Sequence, residues 1–198
     1  GARVIDTDVK HLHPLMLPIL AEHQDILLRR FGVRTYVQET ARDDTAQQVA
    51  FLKGRDPVTL EVLDRSKVVT NARPGMSWHN VKYPTGKPAS LSLHLGIDSD
   101  LTMPGVQYLG FGSADLDLTG APRLRCDLDG REPLDDLGPG HLVYCAIGLV
   151  GEALGLRWLG RARNRDWMHF EYHPGGATLM QVLAAMRSDG DIHALVTA

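Results

Sequence analysis

The sequence lacks any apolar run near the roughly 20 residues that a membrane-spanning helix needs. The apolar run at residues 15–20 is short, is interrupted by Pro18 and does not follow a basic stretch, so it does not resemble a signal peptide. Basic residues are not in excess, because 21 Lys and Arg stand against 24 Asp and Glu, and the net charge of −3 supplies no general positive field. We therefore expect neither a membrane span nor a nucleic-acid partner.

Cysteine is scarce, since the chain contains only Cys126 and Cys145, which are too few for a disulfide scaffold. Cys145 lies in the apolar run at residues 144–147, so we expect it to be a buried thiol, with a bridge to Cys126 as the alternative. The remaining composition is that of an ordinary globular protein, with 43% apolar and 23% charged residues. A chain of 198 residues can bury a real core, and we expect one domain over residues 1–198.

Hydrophobic spacing predicts helices mixed with short strands, without the alternating rhythm of parallel α/β proteins. Helices are predicted at residues 7–31, 43–54, 141–155 and 177–187. Strands are predicted at residues 33–39, 68–70, 90–98 and 167–172. A stretch rich in Asp, Gly and Pro at about 113–140 is expected to be a long insertion that forms the rim of a cleft or a lid. These features predict the α+β class.

Three of the nine histidines stand beside other polar residues. His79 lies on a loop, His94 lies on the polar face of an otherwise apolar strand, and His169 follows Asp166 by three residues. Three histidines and a carboxylate are the groups that a catalytic zinc needs. The spacing alone leaves ordinary alternatives open, namely a solvated loop histidine, a core histidine bonded to neighbouring serines, and a surface pair of Asp166 with His169.

Motifs around these histidines occur in the order typical of one family. Ser77-x-His79-Asn80 is followed by Gly-Lys-Pro-Ala-Ser at residues 86–90, and Asp166-x-x-His169 is followed by Phe-Glu. Further matching stretches lie at residues 39–42, 47–55 and 155–160. Together they resemble the LAS-type zinc peptidases, which include L-alanyl-D-glutamate endopeptidases, D-alanyl-D-alanine carboxypeptidases and many phage endolysins. The resemblance spans about residues 10–185.

The resemblance implies a small antiparallel sheet with flanking helices, the LAS or hedgehog-like peptidase fold. It implies a zinc-dependent hydrolase of the endolysin branch, which degrades peptidoglycan by cleaving the L-Ala–D-Glu bond of the stem peptide. A D-Ala-D-Ala carboxypeptidase or dipeptidase is one alternative, and a catalytically degenerate cell-wall-binding domain is another. The expected partner is the peptidoglycan stem peptide, the expected place of action is the bacterial cell wall or periplasm, and the expected state is a monomer.

The resemblance also implies the metal ligands. His79, His94 and His169 would hold Zn²⁺, and Asp166 would be the general base that activates water and later protonates the leaving amine. The family has an aspartate where this chain has His94. Imidazole nitrogen is also a good zinc donor, so we expect His94 to be the ligand, with Asp98 as the alternative.

Three further roles follow from the same resemblance. Arg42 would bind a substrate carboxylate or polarise the scissile carbonyl, for which a guanidinium is well suited. Its ordinary alternative is a charge at a helix start, paired with a neighbouring aspartate. Ser77 would support the site by binding substrate, and Glu171 would orient a neighbouring metal ligand.

Overall fold

The computed structural model describes residues 6–79, 90–108, 115–125, 141–162, 166–173, 176, 178, 180 and 181. The chain divides into two compact units. The first unit comprises Gly1–His13, Gln38–Leu91 and His173–Ala198, and the second comprises Pro14–Val37 and Ser92–Tyr172. That residues 1–198 form a single peptidase domain stays a prediction.

Three helices and seven strands are present among the described residues. The helices are α1 (Met16–Ile26), α2 (Asp44–Leu52) and α3 (His141–Ala153). The strands are β1 (Thr35–Glu39), β2 (Ser90–Leu95), β3 (Gln107–Tyr108), β4 (Asp115–Asp117), β5 (Arg123–Arg125), β6 (Arg157–Trp158) and β7 (His169–Glu171). The fold is therefore α+β with a small antiparallel sheet and a few helices, which confirms the predicted class.

The strands form two sheets. The larger has the order β1-β2-β7-β6, and β6 pairs antiparallel with β7 so that Trp158 lies opposite Phe170. The smaller has the order β3-β5-β4, with β4 antiparallel and β3 parallel to β5. Strands β4 and β5 lie within the predicted insertion at 113–140. Residues 113, 114 and 126–140 of this insertion, like most of the helix predicted at 177–187, lie outside the described residues.

The first predicted helix starts later than its apolar pattern suggests. Only a short 3-10 turn, Val9–His11, precedes Pro14, and α1 starts at Met16. Proline lacks the amide hydrogen that a helix interior needs, so the helix begins after Pro14. The helix continues as the π-helical turn Leu27–Phe31 and ends at Gly32, whose φ of +67° suits glycine.

The second predicted helix is confirmed with bounds close to those expected. Asp43 caps α2, because its carboxylate accepts a hydrogen bond from Ala46 N. The strand predicted at 68–70 is wrong. Val68 N closes a turn onto Arg65 O, and the Thr70 carbonyl accepts a hydrogen bond from Arg55 Nη1 at 3.0 Å, so these backbone groups are used outside a sheet.

In the core of the second unit, two glycines of α3 pack directly against aromatic rings. A Cβ atom on Gly148 of α3 would lie 2.1 Å from the ring of Trp158, and one on Gly151 would lie 2.4 Å from Phe170. Both rings are fully buried. Hydrogen at these two positions lets the rings approach the helix more closely than any side chain would allow.

Cys145 is completely buried in α3, as expected, and it is disulfide-bonded. The prediction of a free thiol is therefore wrong. The only other cysteine in the sequence is Cys126, which lies outside the described residues. The sequence did not decide between thiol and bridge because bridging depends on the distance between the two Cα atoms.

Candidate functional site

The loop that carries Ser77 and His79 is held in the first unit by hydrogen bonds that its backbone carbonyls accept from other segments. Arg42 N donates to His79 O at 2.8 Å, and Gln47 Nε2 donates to Ala72 O at 2.7 Å. His79 is only 3% exposed, whereas Ser77 is half-buried. The motif histidine is thus enclosed rather than solvated, which removes the exposed-loop alternative.

The Arg42 side chain is buried in a polar cluster with Glu39 and Gln47. Its Nε and Nη2 donate to the two carboxylate oxygens of Glu39 at 3.0 and 2.6 Å, and its Nη1 donates to Gln47 Oε1 at 3.1 Å. The two charged side chains are 9% and 10% exposed. A two-point contact between guanidinium and carboxylate is strong and fixes both groups in the plane of the fork. The carboxylate partner of Arg42 is therefore Glu39 and not an aspartate at the start of helix α2.

An aromatic contact lies next to His79 in the sequence. Trp78, which is 7% exposed, stacks on the ring of His173 with centroids 4.2 Å apart and an interplanar angle of 23°. No role for His173 was predicted from the sequence. Its position four residues after the motif histidine His169 could have marked His173 as a candidate site residue. Spacing along the chain does not show, however, which ring packs against His173.

Asp166 and His169 come together in the second unit. The chain turns at residues 167 and 168, with His169 N donating to Asp166 O at 3.3 Å. His169 Nδ1 then lies 3.3 Å from Asp166 Oδ2. The carboxylate is 49% exposed and the imidazole 14%. The turn that the convergence of these residues requires is therefore present.

His94 and Asp98, the two alternatives for one metal ligand, have different surroundings. His94 is exposed on β2, and its ring stacks on Tyr36 with centroids 5.4 Å apart. Strand β2 ends at Leu95, earlier than predicted, and Asp98 lies in the turn that follows. There Asp98 Oδ2 pairs with Arg34 Nε at 3.1 Å. Only His94 is thus on the strand itself.

The strand that carries His94 lies beside the Asp166–His169 turn. Leu93 N donates to Met168 O at 2.8 Å, so residues adjacent to both histidines share a hydrogen bond. On the other side of β7, Glu171 lies opposite Arg157 of β6, and Arg157 Nη1 is 3.4 Å from its carboxylate. Glu171 is mostly buried, and this contact orients it toward Arg157.

The described side chains do not form a ready-made metal centre. Among them, no three His, Cys, Asp or Glu residues are grouped so that they could hold one ion. The structure brings together Asp166 with His169 and, through their backbones, Arg42 with His79. The zinc ligand set stays a prediction.

A buried histidine outside the motifs, His23, has a strongly perturbed pKa. His23 of α1 donates from Nε2 to Ile147 O at 2.8 Å and meets the ring of Phe170 edge-on at 5.3 Å. Its Nδ1 is buried with no hydrogen-bond partner within the described part of the chain. Burial lowers the pKa of His23 from 6.5 to about 4, although the bond to Ile147 opposes this shift. His23 is therefore a neutral core residue.

Comparisons with known proteins do not assign the chain to a family. No protein-family model matches the chain, and no curated protein matches it. Within the part of the chain that the structure describes, no helix has both the length and the apolar character needed to cross a bilayer.

Proposed function

We propose that the chain is a zinc-dependent metallopeptidase that hydrolyses the L-alanyl-D-glutamate bond in the stem peptide of bacterial peptidoglycan. The observation that carries the proposal is the contact of 3.3 Å between Asp166 and His169 on one turn. The motif assigns these two side chains to proton transfer and to metal binding. The half-exposed carboxylate can reach a water molecule and a substrate amide, and the largely enclosed imidazole suits a ligand.

The donor types suit zinc. His79, His94 and His169 offer imidazole nitrogens, and Asp98 is the alternative to His94. The contact of His169 with Asp166 uses Nδ1 of the imidazole. A bound zinc would supply Lewis acidity to the reaction.

The protein groups would divide the remaining work. Asp166 would accept a proton from the attacking water on a carboxylate oxygen and return it to the leaving amine. Arg42, whose guanidinium contacts Glu39 and Gln47, would bind a substrate carboxylate in exchange for Glu39 or would polarise the scissile carbonyl. Ser77, half-buried near His79 in the sequence, would hydrogen-bond substrate.

The disulfide of Cys145 supports an extracytoplasmic place of action. Disulfides persist in oxidising compartments such as the periplasm and the cell exterior, and they are rare in the cytosol. This agrees with a protein that acts at the bacterial cell wall.

A second candidate is a cell-wall-binding domain on the same scaffold that does not catalyse hydrolysis. One observation favours it. His94, which stands where the family has an aspartate, stacks on Tyr36. Such a protein would bind peptidoglycan without needing a metal.

Elemental analysis combined with digestion of purified sacculi separates the two candidates. The peptidase should contain about one zinc per chain, release new amino termini, and lose both properties after chelation. Mass spectrometry of the fragments identifies the bond, because release of D-alanine or its dipeptide would reassign the enzyme to the D-Ala-D-Ala class. Metal-free protein that still pellets with sacculi would support the binding domain and would contradict the peptidase.

Matched variants then assign the roles. Asp166→Asn should retain zinc but lose roughly a hundredfold or more of the hydrolysis rate, because it cannot accept a proton. Asp100→Asn is the control, since Asp100 is also an exposed carboxylate, one that accepts hydrogen bonds from Thr102. His94→Ala should lose zinc whereas His94→Asp should keep it. If His94→Ala kept zinc and Asp98→Asn lost it, Asp98 would be the ligand.

A further inference from the structure

The exposed surface of the second unit carries a fixed pair of aromatic rings. Gly96 N donates to Arg34 O at 2.9 Å, which aligns β1 and β2 so that Tyr36 and His94 lie opposite each other. Their rings stack with centroids 5.4 Å apart and an interplanar angle of 28°. Both residues are exposed, and Tyr36 keeps 47% of its surface in contact with solvent.

The ring of Tyr36 lies in space that a glycine leaves open. A Cβ atom on Gly96 would lie 2.7 Å from Tyr36 Cε2, closer than real side chains come. Glycine therefore allows the ring to lie against the backbone, with His94 on the neighbouring strand supporting it. A ring fixed in this way loses little conformational entropy when a ligand packs on it.

Polar groups of both signs border the pair. Arg34 Nε and Asp98 Oδ2 are 3.1 Å apart, and each side chain is about half exposed. Ser99 Oγ accepts from Arg34 N and donates to Arg34 O, which holds the turn against β1. The border therefore offers hydrogen-bond donors and acceptors without net charge.

We propose that Tyr36 and His94, bordered by Arg34 and Asp98, form a binding site for a saccharide. The C–H groups on one face of a pyranose ring pack against the negative face of an aromatic ring. Guanidinium and carboxylate groups can each bind two neighbouring hydroxyls. A neutral border suits an uncharged sugar, whereas it gives no attraction for the phosphates of a nucleotide.

The identity of the sugar rests on the proposed function. A protein that acts on peptidoglycan meets glycan strands built from N-acetylated hexosamines, so we assign the site to that class. The role is compatible with metal binding by His94, because the sugar would pack on the ring of Tyr36 whereas the imidazole nitrogens of His94 bind ions in the plane of their own ring. The site would hold a glycan strand rather than take part in hydrolysis.

The test is a titration of the full chain with N,N′,N″-triacetylchitotriose, followed by amide NMR. We expect binding in the millimolar range, with shift changes confined to residues 34–36 and 94–99. Tyr36→Thr, which keeps a residue suited to strands, should weaken binding about tenfold, and Tyr36→Phe should retain it. Tyr108→Thr, at an exposed tyrosine of β3, is the matched control and should bind as the parent does.

Two results would overturn the proposal. One is the absence of shift changes at these residues up to about 20 mM sugar, a concentration well above a millimolar Kd. The other is equal binding by the parent and a folded Tyr36→Thr variant. Two further measurements separate this site from the proposed peptidase activity. Sugar binding is measured on protein from which metal has been removed by a chelator, and hydrolysis is measured with a stem peptide that carries no sugar. Sugar binding that persists without metal supports the site even if the peptidase proposal fails, whereas peptide hydrolysis without any sugar shift removes the site alone.

Discussion

The two compact units hold their candidate functional residues by opposite means. In the first unit, Arg42 is buried with Glu39 and Gln47, and hydrogen bonds tie this cluster to the loop that carries His79. In the second unit, Asp166 and His94 lie at the surface, and the support comes from aromatic rings packed on glycines. The stability of the first arrangement depends on buried charges that have partners, and that of the second depends on close packing. Different kinds of substitution should therefore destabilise the two units.

The largest expected effect is on the buried ion pair of the first unit. Arg42→Met should lower the free energy of unfolding by about 3–5 kcal/mol, because it leaves the Glu39 carboxylate buried without its guanidinium. The double variant Glu39→Leu with Arg42→Met should recover at least half of this loss, since no buried charge remains. Urea denaturation measures both. A double variant as unstable as the single one would show that charge satisfaction is not what holds this unit.

A smaller, pH-dependent effect is expected in the second unit, where His23 is the polar exception in an apolar core. The folded state keeps His23 neutral down to about pH 4, whereas the unfolded chain binds a proton below pH 6.5. Stability should therefore fall as the pH drops from 6.5 to about 4, by up to about 3 kcal/mol.

The variant His23→Gln provides the control for this pH dependence. Its amide can still donate to Ile147 O but does not titrate. Denaturation of parent and variant at pH 7, 5.5 and 4 measures the difference between them, which isolates His23 from other groups. If the two proteins lost stability in parallel, protonation of His23 would not be the cause.

Packing in the second unit should respond to a single methyl group. Gly148→Ala places a Cβ 2.1 Å from the buried Trp158 ring, and the expected net loss is about 2 kcal/mol despite the better helix propensity of alanine. Gly120→Ala is the control, because no heavy atom of the described residues lies within 4 Å of its Cβ position. Thermal unfolding measures both. A Gly148→Ala variant as stable as the parent would show that the Trp158 ring can move aside at no cost. Close packing would then not be what stabilises this unit.

The smallest effect is expected at the surface of the second unit. Asp98→Asn removes the ion pair with Arg34, whose side chains are about half exposed, and should cost less than about 1 kcal/mol. Comparing the stability loss of Asp98→Asn with that of Arg42→Met tests how burial changes the contribution of an ion pair, because each substitution removes one partner of an arginine–carboxylate pair. Similar losses for the two variants, measured by urea denaturation, would remove the distinction between the units.

Much of the local structure could be predicted from the sequence. The helix that begins with α1 ends at Gly32, α2 lies within its predicted range, and alternating residues identified β1 and most of β2. These signals act within a few residues, through φ preferences, capping and side-chain alternation. The false strand at residues 68–70 shows their limit, because β-branched residues there close a turn instead of pairing.

Less of the candidate site could be predicted. The contact between Asp166 and His169 agrees with their three-residue spacing, which predicted either a functional pair or a surface pair. By contrast, the pairing of Arg42 with Glu39 rather than a helix-start aspartate, and the stacking of Tyr36 on His94, were not foreseen. Those contacts depend on strand register and on which buried groups need partners.

The sequence by itself determined the α+β class, the ends of the main helices, and the motif order that favours a zinc peptidase of the cell wall. Only the tertiary structure decided that Arg42 is buried against a carboxylate, that His94 lies under a ring, and that Cys145 is bridged. The physical reason is distance along the chain. Helix caps and turns are fixed by neighbours, whereas the partner of a polar or aromatic side chain is set by segments that meet only after folding.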